Sequence, residues 1–116
     1  MRYYELLYVL QPQLTEEQIK EFMEDVAARI KNGGGEVLKN EVWQKRNLAY
    51  PIKKFKQGYY ILVHYRSAPE LPKKIEEYLR IKENVLRFLT TYMLKKDISK
   101  YTEEKQKEEN SDGQSQ

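Results

Sequence analysis

Between Gly58 and Arg66 the chain reads Tyr59-Tyr60-Ile61-Leu62-Val63-His64-Tyr65, and no other stretch narrows the possible folds as much. Aromatic and β-branched side chains suit a pleated backbone and lose rotamer freedom in a helix, so this run is the strongest strand of the sequence. The odd positions, Tyr59, Ile61, Val63 and Tyr65, are the more apolar set and are expected to face a core. Tyr60, Leu62 and His64 then point to the opposite face. A lone strand is not stable in water, so the rest of the chain must supply partners and a layer that covers one face.

Residues 2–10 alternate Tyr4, Leu6, Tyr8, Leu10 with Tyr3, Glu5, Leu7, Val9, which predicts a first strand with the even set toward the core. Gln11-Pro12-Gln13 breaks it. Thr15, with Glu17 and Gln18 behind it, predicts a helix N-cap, and Ile19, Phe22, Met23, Val26 and Ile30 follow at helical spacing until Gly33-Gly34-Gly35 ends the helix. A second strand is expected from Glu36 toward Tyr50, ending at Pro51 or lying at a sheet edge because proline cannot donate to a ladder. Pro69 and Pro72 mark the start of a second helix with Leu71, Ile75, Tyr78 and Leu79 as its buried stripe. Val85 to Leu94 returns to strand alternation. The order βαββαβ predicts an α+β fold, a ferredoxin-like sandwich in which a four-stranded antiparallel sheet carries two helices on one face. Residues 1–95 form this domain. Residues 96–116 are rich in Lys, Glu, Gln and Ser and are expected to be a charged, disordered tail.

Composition removes several functions. With no cysteine there is no disulfide framework or cysteine-ligated metal, and with one histidine, His64, and no acid within five residues of it, no zinc-like ligand cluster can be assembled locally; no metal and no cofactor is expected. Glu5 interrupts what would be the apolar core of a signal sequence, and no apolar run reaches the ~20 residues of a membrane span, so a cytoplasmic protein without a membrane partner is expected. The net charge of +3 hides an asymmetry: residues 102–116 sum to −3, leaving +6 on residues 1–101. A basic body favours a polyanionic partner.

The excess is concentrated. From Val42 to Pro69 there is no acid, while Lys45, Arg46, Lys53, Lys54, Lys56 and Arg66 bring six positive charges. The stretch Lys45-Arg46-Asn47-Leu48-Ala49-Tyr50-Pro51-Ile52-Lys53-Lys54 reads as a binding hairpin whose cations contact phosphates. Its plain alternative is a solvated turn whose lysines only maintain solubility. The uncovered sheet face would carry Tyr3, Leu7, Val9, Tyr60, Leu62 and Leu89 beside Glu5, His64 and Arg87, more apolar than a face meeting water alone. An RNA-recognition motif fits poorly, because Gly58-Tyr59-Tyr60-Ile61 lacks its small residue and second aromatic. His64, Ser67 and Ser99 have no catalytic context. An acylphosphatase-like enzyme shares the fold but needs an arginine directly after the first strand, where this chain has Gln11 to Thr15; a small regulatory or ligand-binding domain is the other alternative.

Met1-Arg2-x-Tyr4-Glu5, Arg46-x-Leu48-Ala49-Tyr50-Pro51-Ile52-x-Lys54, Gly58-x-Tyr60 and Leu79-Arg80-x-x-Glu83-x-Val85-x-Arg87 together resemble the bacterial small-subunit (30S) ribosomal protein S-six family over residues 1–95. One departure is Gln44, where the family often has glycine. The resemblance implies a non-enzymatic protein that binds the central domain of 16S rRNA together with ribosomal protein S-eighteen during 30S assembly, with no small-molecule substrate. On that basis Arg2, Lys45, Arg46, Lys53, Lys54, Lys56 and Arg87 are expected to contact RNA as phosphate ligands. Tyr3, Leu7, Tyr50, Pro51, Ile52, Tyr60, Leu62 and Leu89 are expected to form the protein-partner surface.

Overall fold

The computed structural model describes residues 2–93. The elements follow as β1 (Arg2–Leu10), α1 (Glu16–Asn32), β2 (Glu36–Ile52), β3 (Phe55–Ser67), α2 (Leu71–Arg80) and β4 (Val85–Tyr92). The four strands make one antiparallel sheet in the order β2-β3-β1-β4. This is the ferredoxin-like arrangement, with both helices packed on one face. The expected tail, residues 96–116, and the expected end of the last strand at Leu94 lie outside the described residues.

The central strands divide as the alternation predicts. Leu6, Tyr8 and Leu10 of β1 and Ile61, Val63 and Tyr65 of β3 are fully buried beneath Val26 and Ile30 of α1 and Leu71, Ile75, Tyr78 and Leu79 of α2. Each fully buried aliphatic side chain contributes about 1.5–3 kcal/mol, which makes this layer the main source of stability. Val9 departs from the pattern. It belongs to the uncovered face yet is 3% exposed, because Gly58 brings the β3 backbone directly against its methyl group, where a Cβ would overlap it.

α1 starts with a reciprocal cap. Thr15 is extended (φ −76°, ψ 164°); its Oγ1 accepts from the Gln18 amide at 3.1 Å, and its own amide donates to Gln18 Oε1 at 2.9 Å. Two of the orphan amides of that region are thereby satisfied. The helix closes at Gly33, and Gly34 takes the left-handed backbone (φ 89°) that side chains resist.

β2 runs two residues past Tyr50, through Pro51 to Ile52. It is an edge strand, so the missing proline donor interrupts no inner ladder. Its pairing with β3 slips between Val37 and Lys39, between Val42 and Gln44, and most of all between Asn47 and Ile52. There Leu48, Ala49, Tyr50 and Pro51 oppose only Lys56, so the segment bulges out of the ladder. Bulges of this kind bend a strand and increase its twist.

Candidate nucleic-acid and protein interface

The uncovered sheet face presents Tyr3, Glu5, Leu7 and Val9 from β1, Tyr60, Leu62 and His64 from β3, and Arg87 and Leu89 from β4. Leu7, Val9, Tyr60, Arg87 and Leu89 line a shallow groove of about 270 Å³, and Leu89 is 62% exposed. The floor of the face is largely apolar, and among the described residues nothing packs over it.

His64 corrects the expectation. It stands on the predicted face but is buried, and its Nε2 lies 3.0 Å from Oε2 of Glu5, directly across the β1–β3 pairing. The carboxylate neighbour is invisible in sequence because 59 positions separate the two residues. The pair lies on the face with Thr91 of β4 opposite Glu5 and Lys39 of β2 opposite His64. Arg66, counted among the hairpin cations, also has a partner, the Glu36 carboxylate on β2.

At the β2 side of the face the bulge after Val42 turns Trp43 toward Tyr60, with ring centroids 6.5 Å apart at 74°. The Arg46 guanidinium sits 5.6 Å from the Trp43 ring and 5.4 Å from that of Tyr60. Cation and aromatics thus form one exposed cluster, worth up to about 1 kcal/mol per contact at such a site. Trp43 was not among the expected site residues. Its only sequence signal is a large aromatic between Val42 and the polar run Gln44 to Asn47, and the bulge that aims it has no local signature.

The hairpin tip curls across to the far edge strand. Ile52 pairs with Phe55 around a two-residue loop, Lys53-Lys54, whose φ angles are 50° and 74°. Lys53 Nζ donates to the Val85 carbonyl at 3.4 Å, and Arg87 Nη1 donates to the Tyr50 hydroxyl at 3.5 Å. The bulged segment itself is mostly open, with Tyr50 59% exposed, Ala49 and Pro51 exposed, and Leu48 and Ile52 half-buried. Lys54 and Lys56 are exposed and have no ion pair or hydrogen bond among the described residues.

The fold gathers Arg46, Lys53, Lys54, Lys56 and Arg87 around the hairpin end of the face. It does not gather the other two expected cations there. Lys45 points to the helix side of the edge, with Nζ 5.3 Å from the Tyr59 ring. Arg2 lies at the opposite end of β1, roughly 23 Å of strand from Val9, with its guanidinium 5.5 Å from the Tyr92 ring. The apolar and cationic sets interleave, since Tyr50 touches Arg87 and Tyr60 touches Arg46.

Among the described residues no three His, Asp or Glu side chains converge on a point that could hold a metal, and the turn after β1 offers glutamines and a proline where an acylphosphatase needs arginine. A ferredoxin-like sheet whose described residues leave one largely apolar face open, with cations around one end, offers a surface for binding. The chain's relatives say what kind of protein carries it. A family model described as ribosomal protein S6 matches residues 3–92. The small ribosomal subunit protein bS6 of a Nitratiruptor species is 44% identical over 100 residues, covering 85% of this chain and 78% of the relative. That of Aquifex aeolicus is 40% identical over 101 residues, 86% of this chain and 92% of the relative. The crystal structure of 30S ribosomal protein S6 from Thermotoga maritima superposes with a TM-score of 0.77 at 27% identity, covering 90% of this chain and 97% of that one. The chain belongs to the ribosomal protein S6 family: it is a structural, non-enzymatic protein of the small ribosomal subunit, working in the cytoplasm as part of the ribosome. No helix among the described residues is long and apolar enough to cross a membrane.

Proposed function

We propose that this chain binds the central domain of 16S rRNA as a pair with ribosomal protein S-eighteen during 30S assembly. The observation that carries the proposal is the open face itself: an apolar floor of Leu7, Tyr60, Leu62 and Leu89 bordered by Arg46, Lys54, Lys56 and Arg87. An apolar floor favours a protein neighbour, which gains by excluding water from it; a cationic border favours phosphate oxygens. Because the two sets interleave, one partner seated on the floor sits within reach of the RNA held at the rim. Tyr3 extends the floor along β1, and Tyr50, Pro51 and Ile52 extend it onto the hairpin. Lys53, with two donors left after its bond to Val85, joins the phosphate ligands, and Arg2 and Lys45 reach RNA only where it wraps past the sheet edge or its far end.

The mechanism is coupled binding. A modestly basic protein binds RNA weakly alone; a basic partner on its floor adds charge and holds the joint surface ready, reducing what must be ordered on contact. The affinity of the chain for a central-domain rRNA fragment is expected to rise at least about tenfold, a gain of about 1.4 kcal/mol or more, when the partner is present. Titration of the labelled fragment with the chain alone, the partner alone and the mixture decides it. Equal affinity for chain and mixture would sink the coupled mechanism.

A further inference from the structure

The side of the molecule away from the open sheet holds a groove that the function above leaves unused. It runs between α1 and α2 with a volume of about 640 Å³. Arg29 and Asn32 reach it from α1, Lys74 and Tyr78 from α2, and Lys82 from the turn that follows, where its amide donates to the Leu79 carbonyl. Lys74, Tyr78 and Lys82 recur every four residues, the spacing that stacks side chains on one side of a helix. Gly33 sets the narrow end: a Cβ there would overlap the Leu71 side chain, so only glycine lets the end of α1 close onto the start of α2.

Two of these cations converge on one ring. The Arg29 guanidinium carbon lies 3.8 Å from the centre of the Tyr78 ring and Lys82 Nζ lies 4.9 Å from it. The two charges are therefore no more than about 9 Å apart. A tetrahedral phosphate with donor–oxygen contacts of about 2.7–2.9 Å bridges donors up to roughly 8 Å apart, the scale of this pair. No ion pair among the described residues engages Arg29, Lys74 or Lys82, and Asp25 is the one carboxylate lining the groove. Tyr78 is 8% exposed, so its ring is a fixed wall. Like charges drawn onto a shared ring repel, and an anion between them relieves that repulsion.

We propose that this groove is a phosphate-binding site, in which Arg29, Lys74 and Lys82 hold the oxygens of a phosphate group against the Tyr78 wall, separate from the RNA-contacting rim. The same chemistry serves a free phosphate compound or a phosphodiester of nucleic acid, and the test separates them. The full chain, labelled with nitrogen-15, is titrated with pyrophosphate and, separately, with a short RNA duplex, both against sodium chloride of matched ionic strength. Saturable shifts are expected at the amides of residues 29–33 and 74–82, weakened at least about tenfold in Arg29→Gln/Lys82→Gln and retained in Lys56→Ala. Lys74→Gln, at an exposed helix position, is expected to weaken binding severalfold and keeps the test open if the double variant folds poorly. Saturation by pyrophosphate alone assigns a small phosphate compound; saturation by both assigns phosphodiester as well. Shifts that sodium chloride reproduces, or that Lys74→Gln and the double variant leave unchanged, overturn the site. Groove amides that neither ligand shifts, with RNA shifts confined to the open face, overturn it too, while leaving the proposed function standing.

Discussion

Lys53 and Lys54 hold a backbone conformation that lysine resists. Left-handed φ brings Cβ against the neighbouring carbonyl and costs roughly 1–2 kcal/mol per residue, and two-residue hairpin loops ordinarily place Asn-Gly there to avoid it. A strained pair of charged residues at the tip of a hairpin is the pattern of a functional turn. Lys53→Asn/Lys54→Gly is expected to stabilise the fold by about 1 kcal/mol in urea unfolding and to weaken RNA binding. A variant no more stable than the parent would mean that the turn is not strained. A different residue-scale cost sits in the core, where the Tyr8 hydroxyl is buried without a hydrogen-bond partner among the described residues. Tyr8→Phe should raise stability by about 1 kcal/mol. Burial first, and then the neighbouring Tyr78, push the Tyr8 phenol far above its ordinary value near 10. The folded state therefore keeps a proton that the unfolded chain loses above about pH 10, so stability falls as pH rises from there, by up to about 1.4 kcal/mol per pH unit from this group. Unfolding midpoints measured from about pH 9 to 11 should drop in the parent and drop less in Tyr8→Phe.

The elements differ in how much of their geometry is local. α1 is the most self-contained: its cap, its stripe of Ile19, Val26 and Ile30, and its glycine exit all lie within about twenty residues of sequence, and all are observed. Thr15→Ala removes the side-chain acceptor of the reciprocal cap and should cost about 1 kcal/mol by urea unfolding; a change within a few tenths would mean the cap is solvated without loss. The β2–β3 hairpin is the least local. Period-two alternation describes strands in even register, and β2 slips against β3 at three places, so the faces of Trp43, Lys45 and Arg46 could not be counted out from one end. Lys45 and Arg46, adjacent in sequence and grouped together by charge, lie on opposite sides of the sheet because successive strand residues alternate faces.

At the scale of the whole molecule, charge is sorted by position more than by amount. The cations of the hairpin end, Arg46, Lys53, Lys54, Lys56 and Arg87, come from three strands and the loop between two of them, and meet because the hairpin curls over the sheet onto β4. Each phosphate neutralised releases counterions, so removing ligands flattens the dependence of log affinity on log salt. Lys54→Ala/Lys56→Ala is expected to reduce that slope by roughly 1 to 2 units for the chain–partner mixture on the rRNA fragment. An unchanged slope would move the phosphate contacts elsewhere on the surface.

The sequence by itself determined the element order, the core faces of the two central strands and the caps of α1, because alternation, helical spacing and capping are properties of neighbouring residues. The motif around Leu48-Ala49-Tyr50-Pro51-Ile52, with the other quoted motifs, also pointed to the family. Only the tertiary structure decided which charges act together and which are already spent. Glu5 lies beside His64 and Glu36 beside Arg66 by strand register, Trp43 faces Tyr60 by a bulge, and Lys53 reaches Val85 by the curl of the hairpin. Those are contacts between residues far apart along the chain, and they are fixed by how strands slip and twist against one another, which no local pattern encodes.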